Sequence, residues 1–268
     1  MSSVLPLDVW QLALAAALVL VNGALSMGLQ LGLGRQLVVA ALRAAVQLTL
    51  LGLVLHWVFT RDGWLVSLIW MVFMSAAAGF EAARRSKHRV RGMYRLTLSV
   101  TLLTGMSIAF YGLSVVVRVE PWYTPQYAIP ILGMILGNML NGVSLGLDSV
   151  FSNLISQRAR IEALLAHGAT VAEATREVVR ESARTALIPA VNMLVAAGTV
   201  SIPGMMTGQI LAGSPPDEAA RYQLFILFSI AAAVALGTGL VVLFARRMIF
   251  DERGRLRLDR IRPAQSTG

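Results

Sequence analysis

The feature that most constrains this chain is a succession of seven apolar runs, separated by short polar or basic stretches. They lie at Val9–Leu31, Gln36–Phe59, Trp64–Phe80, Leu96–Val117, Tyr127–Leu147, Ala186–Ile202 and Tyr222–Ala245. A bilayer core of ~30 Å needs roughly 17–25 apolar residues in one helix. In hydrocarbon every backbone donor and acceptor must be satisfied inside the segment, so such runs fold as helices. The runs predict an all-α polytopic membrane protein with about seven spans, the third marginal in length. The whole of 1–268 reads as one transmembrane permease domain in a cell (inner) membrane.

Charge sets the orientation. The formal charge of +9 reads as the positive-inside bias of a multi-pass protein, with membrane lipid rather than nucleic acid as the partner. With the N-terminus outside, the inner segments are Arg35, 84–95, 158–184 and 246–262. They hold all of the 23 lysines and arginines except Arg43, Arg61, Arg118 and Arg221. The expected topology is therefore N-out and C-in, with a basic cytoplasmic tail at 246–268.

The longest polar interruption, 148–185, is predicted to be a cytoplasmic helix–corner–helix between spans five and six. Arg158 and Glu162 stand in its first helix. Gly168 sits where that helix should stop, since glycine enters the left-handed C-cap conformation without strain. Thr170 and Glu173 have the spacing of a capping box, which starts a new helix. Glu173–Arg176, Glu177–Arg180 and Glu181–Arg184 are spaced to pair along it. Long loops with structure of their own usually carry function, and this one is expected to dock a partner protein.

Several residue absences narrow the chemistry. No cysteine is present, which excludes disulfides and thiolate metal sites. There is no phosphate-binding G-x-x-x-x-G-K-[ST] loop, and Lys87 is the one lysine. His56, His88 and His167 are isolated, so no metal-ligand set stands out and an enzyme is not expected. Any ATP and Mg would belong to a separate ATPase chain, and no cofactor is expected here.

Glu162-Ala163-(x)4-Gly168-Ala169-Thr170 resembles the EAA loop of ABC-transporter permeases, whose corner docks on the ATP-binding subunit. Three further stretches, Ala40–Leu48, Ile131–Gly142 and Ser201–Gly213, are similar to the FetB family of iron-export permeases and its plant aluminium-tolerance relatives. That resemblance implies a homodimer working with two copies of a separate ABC ATPase, and export of iron or another metal ion or complex. An anionic cargo such as a nucleotide sugar is the alternative within the class. A secondary transporter or channel without an ATPase is the alternative outside it.

Polar residues at membrane depth suggest the path. Arg43 and Gln47 stand one turn apart on the second span, and Asn138 and Asn141 about one turn apart on the fifth. Met205, Thr207 and Gln209 lie in an apolar block at 202–213, bracketed by prolines and too short to span. These seven residues are expected to line a cavity near the dimer axis. The G-x-x-x-G pairs at Gly133/Gly137, Gly142/Gly146 and Gly204/Gly208 are expected to let helices approach closely.

Overall fold

A computed structural model describes residues 8–30, 32, 34–60 and 63–263. The last residue of the first expected span (Leu31), Arg61 and the tail beyond 263 lie outside the described residues. The chain divides into two compact units, residues 1–63 with 211–214, and residues 64–210 with 215–268.

In the first unit, α1 (Val9–Gly28) packs against α2 (Gly34–Phe59) as a helical hairpin. α2 is apolar along its length yet buries almost none of its side chains within the chain. Such a surface is stable only against lipid or another apolar protein face.

The second unit is a helical bundle built on α5 (Pro125–Ser156). α5 packs against α3 (Trp64–Arg85), α4 (Met93–Tyr111), α8 (Arg176–Ala196) and α10 (Pro216–Arg247). Pro125 opens α5 at a position where its missing N–H costs nothing. The core is the face of α5 that carries Leu132, Ile135, Met139, Val143, Leu147 and Val150, all fully buried. Close approach to α10 depends on Gly142, where a Cβ would stand 2.7 Å from Val234 and 2.8 Å from the Thr238 hydroxyl. Of the three expected G-x-x-x-G pairs, Gly142/Gly146 packs as anticipated. Among the described residues, no side chain comes within 4 Å of a Cβ built at Gly137, Gly204 or Gly208.

Among the described residues, five helices are long and apolar enough to cross a membrane: α2, α3, α4 with its continuation, α5 and α10. α1 adds a shorter apolar stretch at Trp10–Gly23. α3, drawn short at Trp64–Phe80, continues to Arg85 and reaches 22 residues. Glu81 pairs with Arg84 and Arg85, and Arg89 donates to the carbonyls of Ala83, Arg84 and Ser86 at the helix end. α4 ends in a π-helical turn, Gly112–Val117.

The sixth run is not one helix. α8 stops at Ala196, and the chain turns through Gly198 at φ +81° to form a bridge between Ala197 and Ser201. The amides of Val200 and Ser201 donate back to the Ala196 carbonyl, closing the turn. After Pro203 the apolar block too short to span forms α9 (Gly204–Leu211). No charge interrupts Ala197–Ile202, so counting it with the preceding apolar run hides a stop made by the backbone.

The three basic segments meet at one end of the second unit. The two-residue strands β1 (His88–Arg89) and β2 (Arg262–Pro263) pair antiparallel. Ser86 Oγ and the Lys87 amide both donate to Asp148 Oδ1, at 2.7 and 2.6 Å. Arg246 donates to the Thr175 hydroxyl at 2.9 Å. Segments far apart in sequence that charge had assigned to one side are thus tied together by hydrogen bonds.

Candidate functional site

At that end, α5 leaves the bundle and continues to Ser156, where α6 (Arg158–Ala166) begins after a one-residue break. α6 ends in a Schellman closure. Gly168, at φ +88°, donates its N–H to the Leu165 carbonyl, and Ala169 donates to that of Leu164, both at 3.0 Å. The His167 ring also bonds the Ala163 carbonyl at 2.7 Å, the same carbonyl that accepts the His167 amide, so the ring reinforces the helix end.

Thr170 then opens α7 (Val171–Ala174) with both halves of a capping box. The Glu173 amide donates to Thr170 Oγ1, and the Thr170 amide donates to Glu173 Oε2 at 2.8 Å. The Thr170 hydroxyl and amide hold the Glu173 carboxyl below its ordinary value, so it stays ionised and accepting at neutral pH. A corner closed on both sides is what Gly168, Thr170 and Glu173 had suggested.

The corner is anchored on one face and free on the other. Ile161 is fully buried, and Leu164, Leu165, Ala169 and Val171 pack against the core. Glu162, Ala163, His167, Gly168 and Thr170 are exposed. Arg158 donates to Glu162 at 2.9 Å across one turn of the same surface. The three i,i+3 pairs expected along the next helix are not ion pairs in the structure. Glu173 is engaged by Thr170, and Glu181 accepts instead from Gln157 of the α5–α6 junction.

The tail beyond α10 forms a second wall. A turn at Asp251–Arg255 returns the chain beside the corner, leaving a groove of about 850 Å³. Glu162, Gly168 and Thr170 line one side, and Arg253, Arg255 and Arg257 the other. The tail had been read only as a basic extension, because its partners lie some 80 residues away.

Within the bundle, a cavity of about 250 Å³ opens between α5, α8, α9 and α10. Asn138 and Met205 both line it, together with Met134, Met193, Ser201 and Gln223. Asn138 Nδ2 donates to the Met134 carbonyl of its own helix, and Gln223 Oε1 accepts from the Met206 amide at 3.3 Å. Gln223, 6% exposed within the apolar α10, was overlooked; a lone amide in that helix was the available signal.

Of the other expected path residues in this unit, Asn141, Thr207 and Gln209 do not line the cavity. Asn141 Oδ1 accepts from Arg85 at the end of α3, at 2.9 Å, and serves as a tie between helices. Thr207 donates to the carbonyl of Pro203, the residue before α9. Gln209 leaves a buried Oε1 without a partner among the described residues. Arg43 and Gln47 lie on α2 of the first unit, both exposed. No group of three or more metal-ligating side chains occurs among the described residues.

Comparison with known proteins follows the same outline. The chain is 36% identical over 249 residues to the UPF0014 membrane protein slr1647 of Synechocystis, covering 92% of this chain and 94% of that one. It is 32% identical over 245 residues to the Probable iron export permease protein FetB of Escherichia coli, covering 91% and 93%. It is 33% identical over 228 residues to Protein ALUMINUM SENSITIVE 3 of Arabidopsis thaliana, covering 84% and 81%. No solved structure matches the chain. The model of the uncharacterised protein family UPF0014 matches residues 9–250, and this multi-pass membrane protein belongs to that family.

Proposed function

We propose that the chain is the permease subunit of an ATP-driven ABC exporter, acting as a homodimer with two copies of a separate ATPase, and that its cargo is iron or another metal ion or complex. The observation that carries the coupling half of this reading is the corner at Gly168–Thr170. It is closed by backbone and side-chain hydrogen bonds, fixed to the core on one face and exposed on the other. A mere connector needs no such rigidity, whereas a lever that transmits closure of an ATPase does. The N-out, C-in orientation puts the corner in the cytoplasm, where ATP is available. The metal half rests on the name of the Escherichia coli relative and on the soft lining of the small cavity, where Met134, Met193 and Met205 stand beside Asn138. Thioethers and amides suit a cargo that binds weakly and leaves.

One residue favours a second cargo. Arg43 places a permanent positive charge in the middle of an apolar helix, at a cost of ~2.5–3.5 kcal/mol on the insertion scale. Beside a bare cation it repels; beside an anion or an anionic chelate it attracts. The experiment is ATP-driven uptake into inverted vesicles that carry the permease with its ATPase, comparing ferrous iron, a ferric chelate and a nucleotide sugar. ATP-dependent iron uptake retained in Arg43→Gln is the expected result. Loss of anion uptake in that variant, with no iron transport in either protein, would replace metal by an anionic cargo. Absence of any ATP dependence would remove the ABC reading.

A further inference from the structure

We propose that the second unit carries a binding site for an anionic phosphate group, of the kind borne by acidic phospholipids, at the end of the bundle where α4 begins and α10 ends. A cavity of about 730 Å³ lies there, lined by Arg89, Arg91, Arg260 and Arg262 with Tyr94 and Met248. The proposal rests on the membrane character of the chain and is independent of the ATPase reading.

The charges in this cavity are unbalanced. Its one carboxylate, Asp259, is already engaged by a two-pronged bond from Arg257, both contacts at 2.9 Å. Arg89 is spent on the carbonyls that end α3. Arg260 uses Nη1 on the carbonyls of Met248 and Phe250. Arg91 and Arg262 make no side-chain hydrogen bond or ion pair among the described residues, and both are exposed at the cavity. Two forked guanidinium groups with free donors match phosphate oxygens in geometry as well as charge.

The backbone adds to this. The N-cap of α4 is Gly92, in the left-handed conformation with no side chain to cap the first turn. The Met93 amide is taken by the Val90 carbonyl, but the Tyr94 and Arg95 amides of the first turn and the positive dipole end of a nineteen-residue helix lie at the same region as the arginines. β1–β2 pairing holds Arg89 and Arg262 opposite one another, so the tail closes the cavity.

Position selects the ligand. α3, α4 and α10 are apolar helices, and all three have an end here, at Arg85, Met93 and Arg247. The cavity therefore lies at headgroup depth. Tyr94 supplies the amphipathic ring favoured there, and basic pockets between helix ends at this level suit anionic headgroups. A soluble phosphate offers the same oxygens, and the test separates the two.

The test is lipid retention by the purified full-length chain in nanodiscs of phosphatidylcholine doped with phosphatidylglycerol, read by native mass spectrometry. The wild type is expected to retain phosphatidylglycerol over phosphatidylcholine. Arg91→Gln/Arg262→Gln is expected to lose that preference by roughly thirtyfold, the effect of two basic groups at a membrane surface. Arg176→Gln/Arg253→Gln, which removes two exposed charges at the same end but outside the cavity, should change it little. Millimolar inorganic phosphate that displaces the lipid from the wild type would assign the site to soluble phosphate; retention in its presence assigns it to the headgroup. No preference in the wild type, or an equal loss in the two double variants, would overturn the proposal.

Discussion

Gly168→Val is expected to uncouple the permease from the proposed ATPase while leaving the membrane bundle folded. Gly168 holds φ +88° and donates one of the two hydrogen bonds that end α6. A residue with a Cβ pays about 1–2 kcal/mol to enter the left-handed region, and β-branching adds to it. Among the described residues, no atom beyond its chain neighbours lies within 4 Å of where that Cβ would stand, so the penalty falls on the backbone and not on packing. The corner is then expected to populate other conformations, a shift of roughly five- to thirtyfold. ATPase stimulation in the reconstituted complex should fall by a comparable factor. Insertion and thermal stability of the bundle should be unchanged, because Ile161 and Leu164 on the anchored face are untouched. Gly168→Asn should keep most of the stimulation, since asparagine tolerates this conformation. Full stimulation in the valine variant would contradict the coupling role.

Gly79→Leu is expected to have the largest effect on the fold itself. A Cβ at Gly79 would stand 2.5 Å from Thr101 Oγ1, 2.8 Å from Leu98 Cα and 3.0 Å from Leu98 N. The last two are backbone atoms of α4, so no rotamer change can make room. Thr101 Oγ1 also donates to the Ser75 carbonyl at 3.1 Å, a bond between α3 and α4 that requires this spacing. Separating the helices would break that bond and open the core around Met71 and Met93. The cost should reach or exceed the top of the usual ~1–3 kcal/mol range for overpacking. Thermal unfolding of the detergent-solubilised protein, followed by size-exclusion, checks it. Gly137→Leu is the control: a Cβ there meets nothing within 4 Å among the described residues, so its melting temperature should stay near that of the wild type.

These two glycines also mark what could and could not be read from the chain. Gly168 was legible because capping is local: the stop, the Thr170 start and the Glu173 partner fall within six residues. Gly79 was not, because no second glycine stands four residues away and its constraint comes from Leu98 on another helix. The same limit hid the Ser86–Asp148 and Arg85–Asn141 ties, which join residues about sixty apart. The bond that Asn141 accepts from Arg85 could not be read from the chain, because the end of α3 that supplies it lies 56 residues away. Apolar periodicity located the long helices well, since burial and lipid exposure demand the same residue types. It failed at Ala197–Ser201, where the chain stays apolar while Gly198 lets the backbone turn. Of the candidate path, Asn138 and Met205 share one cavity, and Gln223 and Ser201 complete its polar lining.

The central claim, that the corner grips a separate ATPase, is tested most directly by site-directed cross-linking. The chain contains no cysteine, so a single one can be introduced without background. Placed at His167, on the exposed face of the corner, it should form a cross-link to a co-purified ABC ATPase subunit, with a yield that changes when ATP is added. Placed at Thr124, beyond the other end of α5, it should form none. Equal yields at the two positions, or none at His167 with the ATPase present, would contradict the account.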